Sequence, residues 1–365
     1  MRRLVIGSAL IASLLGVPAA PAAAETTAAP NDNVVTITVP VDVVGAKGKT
    51  SPDGTMSLVD YWEAILNQTW GAAFATIPYK DCYFLKLKLE LTERGNDFDS
   101  TKGRHRILIG APSGGLTFDG TGFNNVPETS RSKTTGDGTR SLEHDRDGAI
   151  PVDAPPTVVA HEFGHLFGLG DDRAKGAPKA GRDIDTVMVG NVPGVDLTKT
   201  ARVDKNLIDR IGKIIERHLK DQGKKLPECQ PWTGTVSATF SDAYPCSGAD
   251  EGTITVGVVG KNASGIVAVS GSFTCGDFGI LGSYSASGSA TFGVTGTFTD
   301  AKFQFRPEPD LVTTGDGPTA QCAAIPERPI VVPVERGTAT ASFEWTSPGR
   351  QATCDITLER GEAVG

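Results

Sequence analysis

Alternating apolar and polar positions predict β-strands in the first half of the chain. Between residues 85 and 91 every second residue is leucine, and lysine or glutamate stands between the leucines. Such a period of two gives one buried and one solvated face, as in a strand at a sheet surface. Residues 34–39 and 106–110 are short apolar or β-branched runs and predict two further strands.

Apolar residues at helical spacing predict two helices in the same half. In residues 56–69, Leu58, Trp62 and Ile65 fall on one stripe. In residues 197–220 a stripe of valine, isoleucine and leucine indicates a longer amphipathic helix. Strands and helices mixed in this way predict an α+β domain, with a mixed twisted sheet and a closing helix at its end.

The composition changes sharply near Pro231. All five histidines precede this residue, and the chain from Pro231 onward contains three leucines. The tail is rich in Gly, Ser, Thr and Val and has short alternating runs such as residues 235–240, so it predicts an all-β sandwich. The predicted domains are residues 34–230 and 231–365, preceded by a short N-terminal segment at residues 25–33.

Residues 1–24 have the pattern of a secretory signal peptide. Arg2 and Arg3 are followed by an apolar core at residues 4–17 and by three alanines that end at Ala24. The apolar core is short for a bilayer span, and Pro18 follows it directly. We therefore expect cleavage after Ala24 and a secreted protein that is not inserted into a membrane.

Net charge limits the partners that the protein can bind, and the number of cysteines predicts disulfides. A formal charge of −8 at pH 7 argues against nucleic acid as a partner, because such binding requires a basic face. Six cysteines in an oxidising compartment predict three disulfides, with buried free thiols as the alternative. From the domain organisation alone, the predicted pairs are Cys82–Cys229, Cys246–Cys275 and Cys322–Cys354.

The pattern H-E-x-x-H occurs at residues 161–165. On a helix, His161 and His165 leave from the same face one turn apart, so that both imidazoles can bind one zinc ion. Glu162 lies beside the first ligand, where its carboxylate can take a proton from water at the metal without being a ligand. Two prolines before the motif and two glycines after it predict the helix that this chemistry requires.

A hydrolytic zinc site needs a third protein ligand and an open position for water. Gly168 permits a sharp turn after the helix, and Asp171 follows three residues later, which completes H-E-x-x-H-x-x-G-x-x-D. This pattern resembles the metzincin metalloproteases, and among them the snapalysin-like secreted bacterial proteases, which use aspartate where most of the clan uses histidine. The resemblance implies a metzincin-like catalytic domain with His161, His165 and Asp171 as zinc ligands. It implies Glu162 as the general base.

Met188 is the candidate for the methionine turn that the same clan places beneath the metal. A core methionine that fills a gap is the alternative interpretation. Many clan members have a tyrosine two residues after this methionine, whereas this chain has Gly190. Met188 and Gly168 are therefore expected to support the site, and a transition-state tyrosine at that point is not expected.

Other acidic residues compete for metal roles. Asp172 could replace its neighbour as third ligand, and Glu216 would fill that role if the chain followed the gluzincin pattern, in which a later helix supplies a glutamate. Asp145, Asp147 and Gly148 resemble part of a calcium loop but lack the glutamate spacing of an EF-hand. A solvated acidic turn is the simpler interpretation of those three residues.

The expected function is that of a secreted zinc endopeptidase, which hydrolyses peptide bonds of a protein or peptide substrate through zinc-activated water with Glu162 as general base. Two alternatives are a zinc hydrolase that acts on a non-peptide amide and a secreted binding or adhesion protein that contains a zinc site. The tail is expected to be an accessory domain that binds a surface or polymer ligand. A spacer role is its alternative.

Overall fold

The structure is a computed structural model. It describes residues 26–96, 104–110, 147–170, 186–188, 202–242, 246–276, 284–307, 312–315, 329–347 and 350–365. Its two large clusters of buried apolar residues change over near the predicted domain boundary, one extending to Cys229 and the other beginning at Trp232.

A mixed sheet occupies the first half of the chain. It consists of β1 (Thr27–Asn31), β2 (Val34–Val44), β3 (Phe84–Arg94), β4 (His105–Gly110) and β5 (Asp147–Pro151). β3 runs parallel to β2 along one edge, whereas antiparallel β1 and parallel β4 share the other edge. β5 extends the sheet beside β4 and leads directly into the helix with the H-E-x-x-H motif.

β1 lies in the stretch that was expected to be only a short N-terminal segment. Its residues pair with β2 from Thr27, opposite Thr38, to Asn31, opposite Val34. Two alanines and a proline give this stretch only a weak strand signal, and the strand forms because the edge of β2 is open there.

The helices of this half are α1 (Leu58–Leu66), α2 (Ala72–Thr76), α3 (Pro156–Leu166) and α4 (Lys205–Asp221), and a π-helical turn (Asn67–Gly71) joins the first two. The Ser57 hydroxyl caps α1 by accepting from the Asp60 N–H at 3.1 Å. The Asp204 carboxylate caps α4 by accepting from the Leu207 N–H at 2.9 Å. Each cap is worth about 1 kcal/mol. The apolar stripe of α4 is buried against the sheet half of the molecule.

The second half of the chain is a closed barrel. Its strands are β6 (Gln230–Asp242), β7 (Cys246–Val259), β8 (Asn262–Cys275), β9 (Tyr284–Thr299), β10 (Lys302–Pro307), β11 (Val312–Gly315), β12 (Ile330–Glu335), β13 (Thr338–Ser347) and β14 (Arg350–Arg360). In the described part of the chain, eight of them pair antiparallel in the order β10-β12-β13-β14-β6-β7-β8-β9. The pairing of β9 with β10 closes the ring, and β11 pairs with another part of β9.

Aromatic rings pack one part of the barrel interior. The Trp232 ring lies edge-on to Phe303 with centroids 5.0 Å apart, and Phe303 stacks on Phe305 at the same spacing. All three side chains are buried. An eight-stranded barrel has an interior that side chains can fill, and these rings form a packed core.

The predicted fold class, an α+β metzincin-like domain followed by a β-sandwich, is wrong. Strands make up most of the described residues, and the strands of the second half form one closed barrel instead of two stacked sheets. Alternation of apolar and polar residues reports only that one strand face is buried, which holds equally for a sandwich and a barrel. The long-range contact between the last strand and the first strand of the barrel, in which β14 pairs with β6 from Arg350 with Asp242 to Arg360 with Trp232, depends on a pairing that this alternation does not determine.

Two of the three predicted disulfides are present. Cys82 is bonded to Cys229, and Cys246 to Cys275. Cys354 is also disulfide-bonded, whereas its predicted partner Cys322 lies outside the described residues. The disulfides are compatible with an extracellular protein. None of the described helices has the length and hydrophobicity that a membrane crossing requires.

The barrel and the sheet half touch near the Cys82–Cys229 bond. The Asn33 side-chain amide donates to the Cys82 carbonyl at 3.1 Å and to the Ser264 carbonyl of β8 at 3.0 Å. Gly257 of β7 allows this approach, because a Cβ there would lie 2.2 Å from the Cys82 carbonyl oxygen. The Asn33 hydrogen bond to Ser264 and the close backbone packing at Gly257 therefore hold the barrel against the first half, next to a disulfide that closes the first half just before β6 begins.

Removal of the Cys82–Cys229 bond is expected to destabilise the protein more than removal of the Cys246–Cys275 bond. The two bonds join residues 147 and 29 positions apart, which corresponds to losses of about 5 and about 3.5 kcal/mol from loop-closure entropy. Denaturant unfolding of the two paired Cys→Ala variants measures both losses. Equal losses, or a larger loss for the shorter loop, would contradict this account.

Candidate metal centre

The H-E-x-x-H motif lies on α3, as its spacing requires. The imidazole rings of His161 and His165 have centroids 5.0 Å apart and planes at 90°. Glu162 and His165 are buried and His161 is half-buried. The helix therefore places two imidazoles side by side and a carboxylate next to the first of them in sequence, in a setting where little water competes.

Both imidazoles are oriented by backbone carbonyls. His161 Nδ1 lies 2.8 Å from the Val187 carbonyl oxygen, and His165 Nδ1 lies 3.0 Å from the Leu169 carbonyl oxygen. A carbonyl oxygen can only accept, so each Nδ1 carries the proton and donates it. In the neutral form of each ring the lone pair is then on Nε2, which is the arrangement in which metal-binding histidines are usually held.

A glycine turn at the end of α3 supplies one of those carbonyls. Gly168 has a φ of +86°, its N–H donates to the His165 carbonyl at 3.0 Å, and the Leu169 N–H donates to the Gly164 carbonyl at 3.3 Å. These two bonds define a Schellman motif. The turn reverses the chain so that the Leu169 carbonyl lies over the last turn of the helix, next to His165.

The Val187–Met188 turn supplies the other carbonyl. Met188 is fully buried, and a Cβ on Gly164 would lie 2.2 Å from its sulfur. Met188 thus lies against the helix between the two histidines, while Val187 binds His161. The Val187 N–H donates to the Arg202 carbonyl at 3.0 Å, which ties the turn to the start of α4.

Buried aromatic residues also pack against α3. The Trp70 indole N–H donates to the Ala160 carbonyl at 2.8 Å, and its ring packs edge-on against Phe167 with centroids 5.0 Å apart. Trp62 of α1 packs edge-on against Phe163 in the same way at 6.2 Å. These contacts restrict both sliding and rotation of the helix.

The described residues contain two of the predicted zinc ligands. Asp171 and the alternative third ligand Asp172 lie outside them. The side chains of Asp145 and Asp147 from the possible calcium loop also lie outside, and Gly148 is described only as backbone in β5. Within the described ranges no three His, Cys, Asp or Glu side chains are grouped so as to hold a metal. The third ligand therefore stays a prediction, and so does the calcium loop.

Glu216 is engaged away from the motif. Its carboxylate forms a salt bridge with Lys80 at 2.6 Å and a hydrogen bond with Tyr79. Burial and this carboxylate raise the pKa of Tyr79 well above its usual value. A glutamate bound in this way already has a structural role, which disfavours the gluzincin pattern.

Several residues that support the centre carry only weak sequence signals. Gly164 is the clearest, because glycine inside a helix costs about 1 kcal/mol relative to alanine and therefore calls for a packing reason. Trp70 directly follows the residues that predict the first helix, and its position there gives no sign of a contact with the motif. Val187 and Leu169 act through their backbone carbonyls, which no residue type reveals.

Comparisons with protein-family models, with curated proteins and with solved structures found no match for this chain. The resemblance to metzincins therefore rests on the motif residues alone.

Gly164→Ala is expected to destabilise the protein by about 1–3 kcal/mol, since the added methyl group would lie 2.2 Å from the Met188 sulfur and 2.9 Å from the Trp70 ring. The loss should be at least about 1 kcal/mol smaller in a Met188→Ala background, because the two positions are in contact. Denaturant unfolding of the two single variants and the double variant measures this coupling. Additive losses in the double variant would show that the overlap with Met188 does not account for the loss of stability.

Gly168→Ala is expected to cost about 1–2 kcal/mol of stability, because its left-handed backbone is unfavourable for a residue with a Cβ. Gly170→Ala is the matched control, since a Cβ at Gly170 meets nothing within 4 Å. Thermal melts of the metal-free variants compare the two. Equal melting temperatures of the two variants would contradict the Schellman turn at Gly168.

Proposed function

We propose that this chain is a zinc-dependent endopeptidase. The observation that carries the proposal is the orientation of His161 and His165, whose Nδ1 atoms both donate to backbone carbonyls and whose Nε2 atoms are thereby left for a metal. The neighbouring Glu162 carboxylate supports a hydrolytic role for the ion, because a purely structural zinc site has no need of a base.

We further propose Asp171 as the third ligand. The turn at Gly168 reverses the chain immediately after the helix, and Asp171 follows Gly170 directly. Two imidazoles and one carboxylate suit zinc, since nitrogen and oxygen ligands of this kind bind it in many hydrolytic sites. The fourth position then stays open for water or substrate.

The protein's own groups account for the proton transfers of peptide hydrolysis. A zinc ion at this place would polarise the scissile carbonyl and lower the pKa of nearby water. The Glu162 carboxylate takes the proton from the attacking water and delivers it to the leaving amine. Burial of Glu162 excludes competing solvent, which strengthens its electrostatic interaction with the reacting groups.

The class and setting of the enzyme belong to the same proposal. On the motif we propose a zinc site like that of the snapalysin-like metzincins, in a protein that is secreted after signal cleavage at Ala24. We propose that the barrel is an accessory unit for a surface or polymer ligand. Because aromatic side chains pack its interior where the structure describes it, the ligand would bind on the outer surface.

Glu162→Gln is expected to lower casein cleavage by about 10²–10⁴-fold, as loss of a general base does. Zinc content should stay at one ion per chain, because the base is not a ligand. His165→Ala should lose the zinc together with activity. Purified variants assayed for metal content and cleavage, with and without chelator, measure both properties.

Glu216→Gln serves as the control, since it removes a carboxylate of α4 that is bound to Lys80. It should keep zinc and activity. Full casein cleavage by Glu162→Gln would exclude the proposed mechanism. Zinc loss in Glu216→Gln, with Asp171→Ala unaffected, would assign the third ligand to the later helix instead.

A further inference from the structure

Arg210 of α4 reaches the turn that follows the motif helix. Its guanidinium Nη2 donates to the Gly170 carbonyl at 3.2 Å across 40 positions of sequence. Gly170 is the residue after Leu169, whose carbonyl accepts from His165 Nδ1 at 3.0 Å. The Arg210 guanidinium therefore binds the Gly170 carbonyl, and the neighbouring Leu169 carbonyl orients His165, a predicted zinc ligand.

α4 is a firm support for this contact. Its buried face includes Leu207, Ile211 and Ile214, which flank Arg210 in sequence and belong to the core of the sheet half. The Asp204 cap fixes its first turn. Just before that cap, the Arg202 carbonyl accepts from the Val187 N–H, and Val187 orients His161. The same stretch of chain thus touches the supports of both histidines.

We propose that Arg210 is a positioning residue for the metal centre, which holds the Gly168–Gly170 turn so that the Leu169 carbonyl keeps His165 oriented for zinc. The proposal rests on the proposed zinc site. Gly170 also precedes Asp171, so the same contact fixes the point from which the predicted third ligand departs.

The chemistry of arginine fits this task. A guanidinium stays charged at all relevant pH values, and its bond to a carbonyl is charge-assisted and stronger than a neutral one. Leu169 packs the middle of the turn into the core, whereas Gly168 and Gly170 have no side chains, so Arg210 supplies a side-chain tie at the end of the turn. Loss of residues that orient metal ligands typically weakens metal binding by about 10–100-fold.

The test compares zinc affinity in Arg210→Met, Arg210→Gln and Arg210→Lys with that of the unaltered protein. Competition with a chelator of known affinity measures zinc binding, and the visible spectrum of the cobalt-substituted protein reports ligand geometry. Arg210→Met and Arg210→Gln should bind zinc about 10-fold or more weakly and change the cobalt spectrum. Arg210→Lys should recover part of the affinity. Arg217→Met is the control, since Arg217 is exposed and bonds within its own helix to the Lys213 carbonyl.

Unchanged zinc affinity and an unchanged cobalt spectrum in either Arg210→Met or Arg210→Gln would overturn the positioning role. Measuring both variants keeps the test decisive if one of them does not fold. If Arg210 had a purely structural role, its replacement would lower the melting temperature of the metal-free protein. The cobalt spectrum of the folded fraction would then stay unchanged. If the unaltered protein itself binds no zinc, the proposed function fails, which is a separate result.

Discussion

The hydrogen bonds from the two histidine Nδ1 atoms to the carbonyls of Val187 and Leu169 are the interactions on which the centre depends. Without them each imidazole could rotate about its side-chain bonds and change tautomer. The helix alone would then leave the orientation of the two rings undefined. With them, both Nε2 lone pairs are fixed before any ion arrives. Preorganised ligands reduce the ordering cost of binding, so the protein fold contributes to metal affinity.

Each of the two carbonyls is held by a different part of the fold. Leu169 is placed by the left-handed Gly168, and Val187 by its bond to the chain just before α4. The helix between them is fixed by Trp70, which binds the Ala160 carbonyl, and by Met188, which packs against Gly164. Rigid packing of this kind turns a short sequence motif into a site of defined geometry.

The local chemistry could be predicted from sequence, whereas the larger architecture could not. H-E-x-x-H predicts a helix with both imidazoles on one face because helical geometry determines that spacing. The disulfides Cys82–Cys229 and Cys246–Cys275 followed from the domain organisation. The closed barrel was missed because its β14–β6 contact joins strands far apart in sequence, whose alternation looks the same in a sandwich. Carbonyl partners were missed because every residue has a carbonyl group.

The most direct test of the central claim is the protonation and ligation state of the two imidazoles. Nitrogen-15 NMR of the protein loaded with cadmium-113, a spectroscopic substitute for zinc, distinguishes the ring nitrogens and detects metal coupling. The account predicts that Nδ1 of His161 and His165 is protonated and that Nε2 couples to the metal. Metal coupling at Nδ1, or metal binding that leaves both rings unchanged, would contradict it.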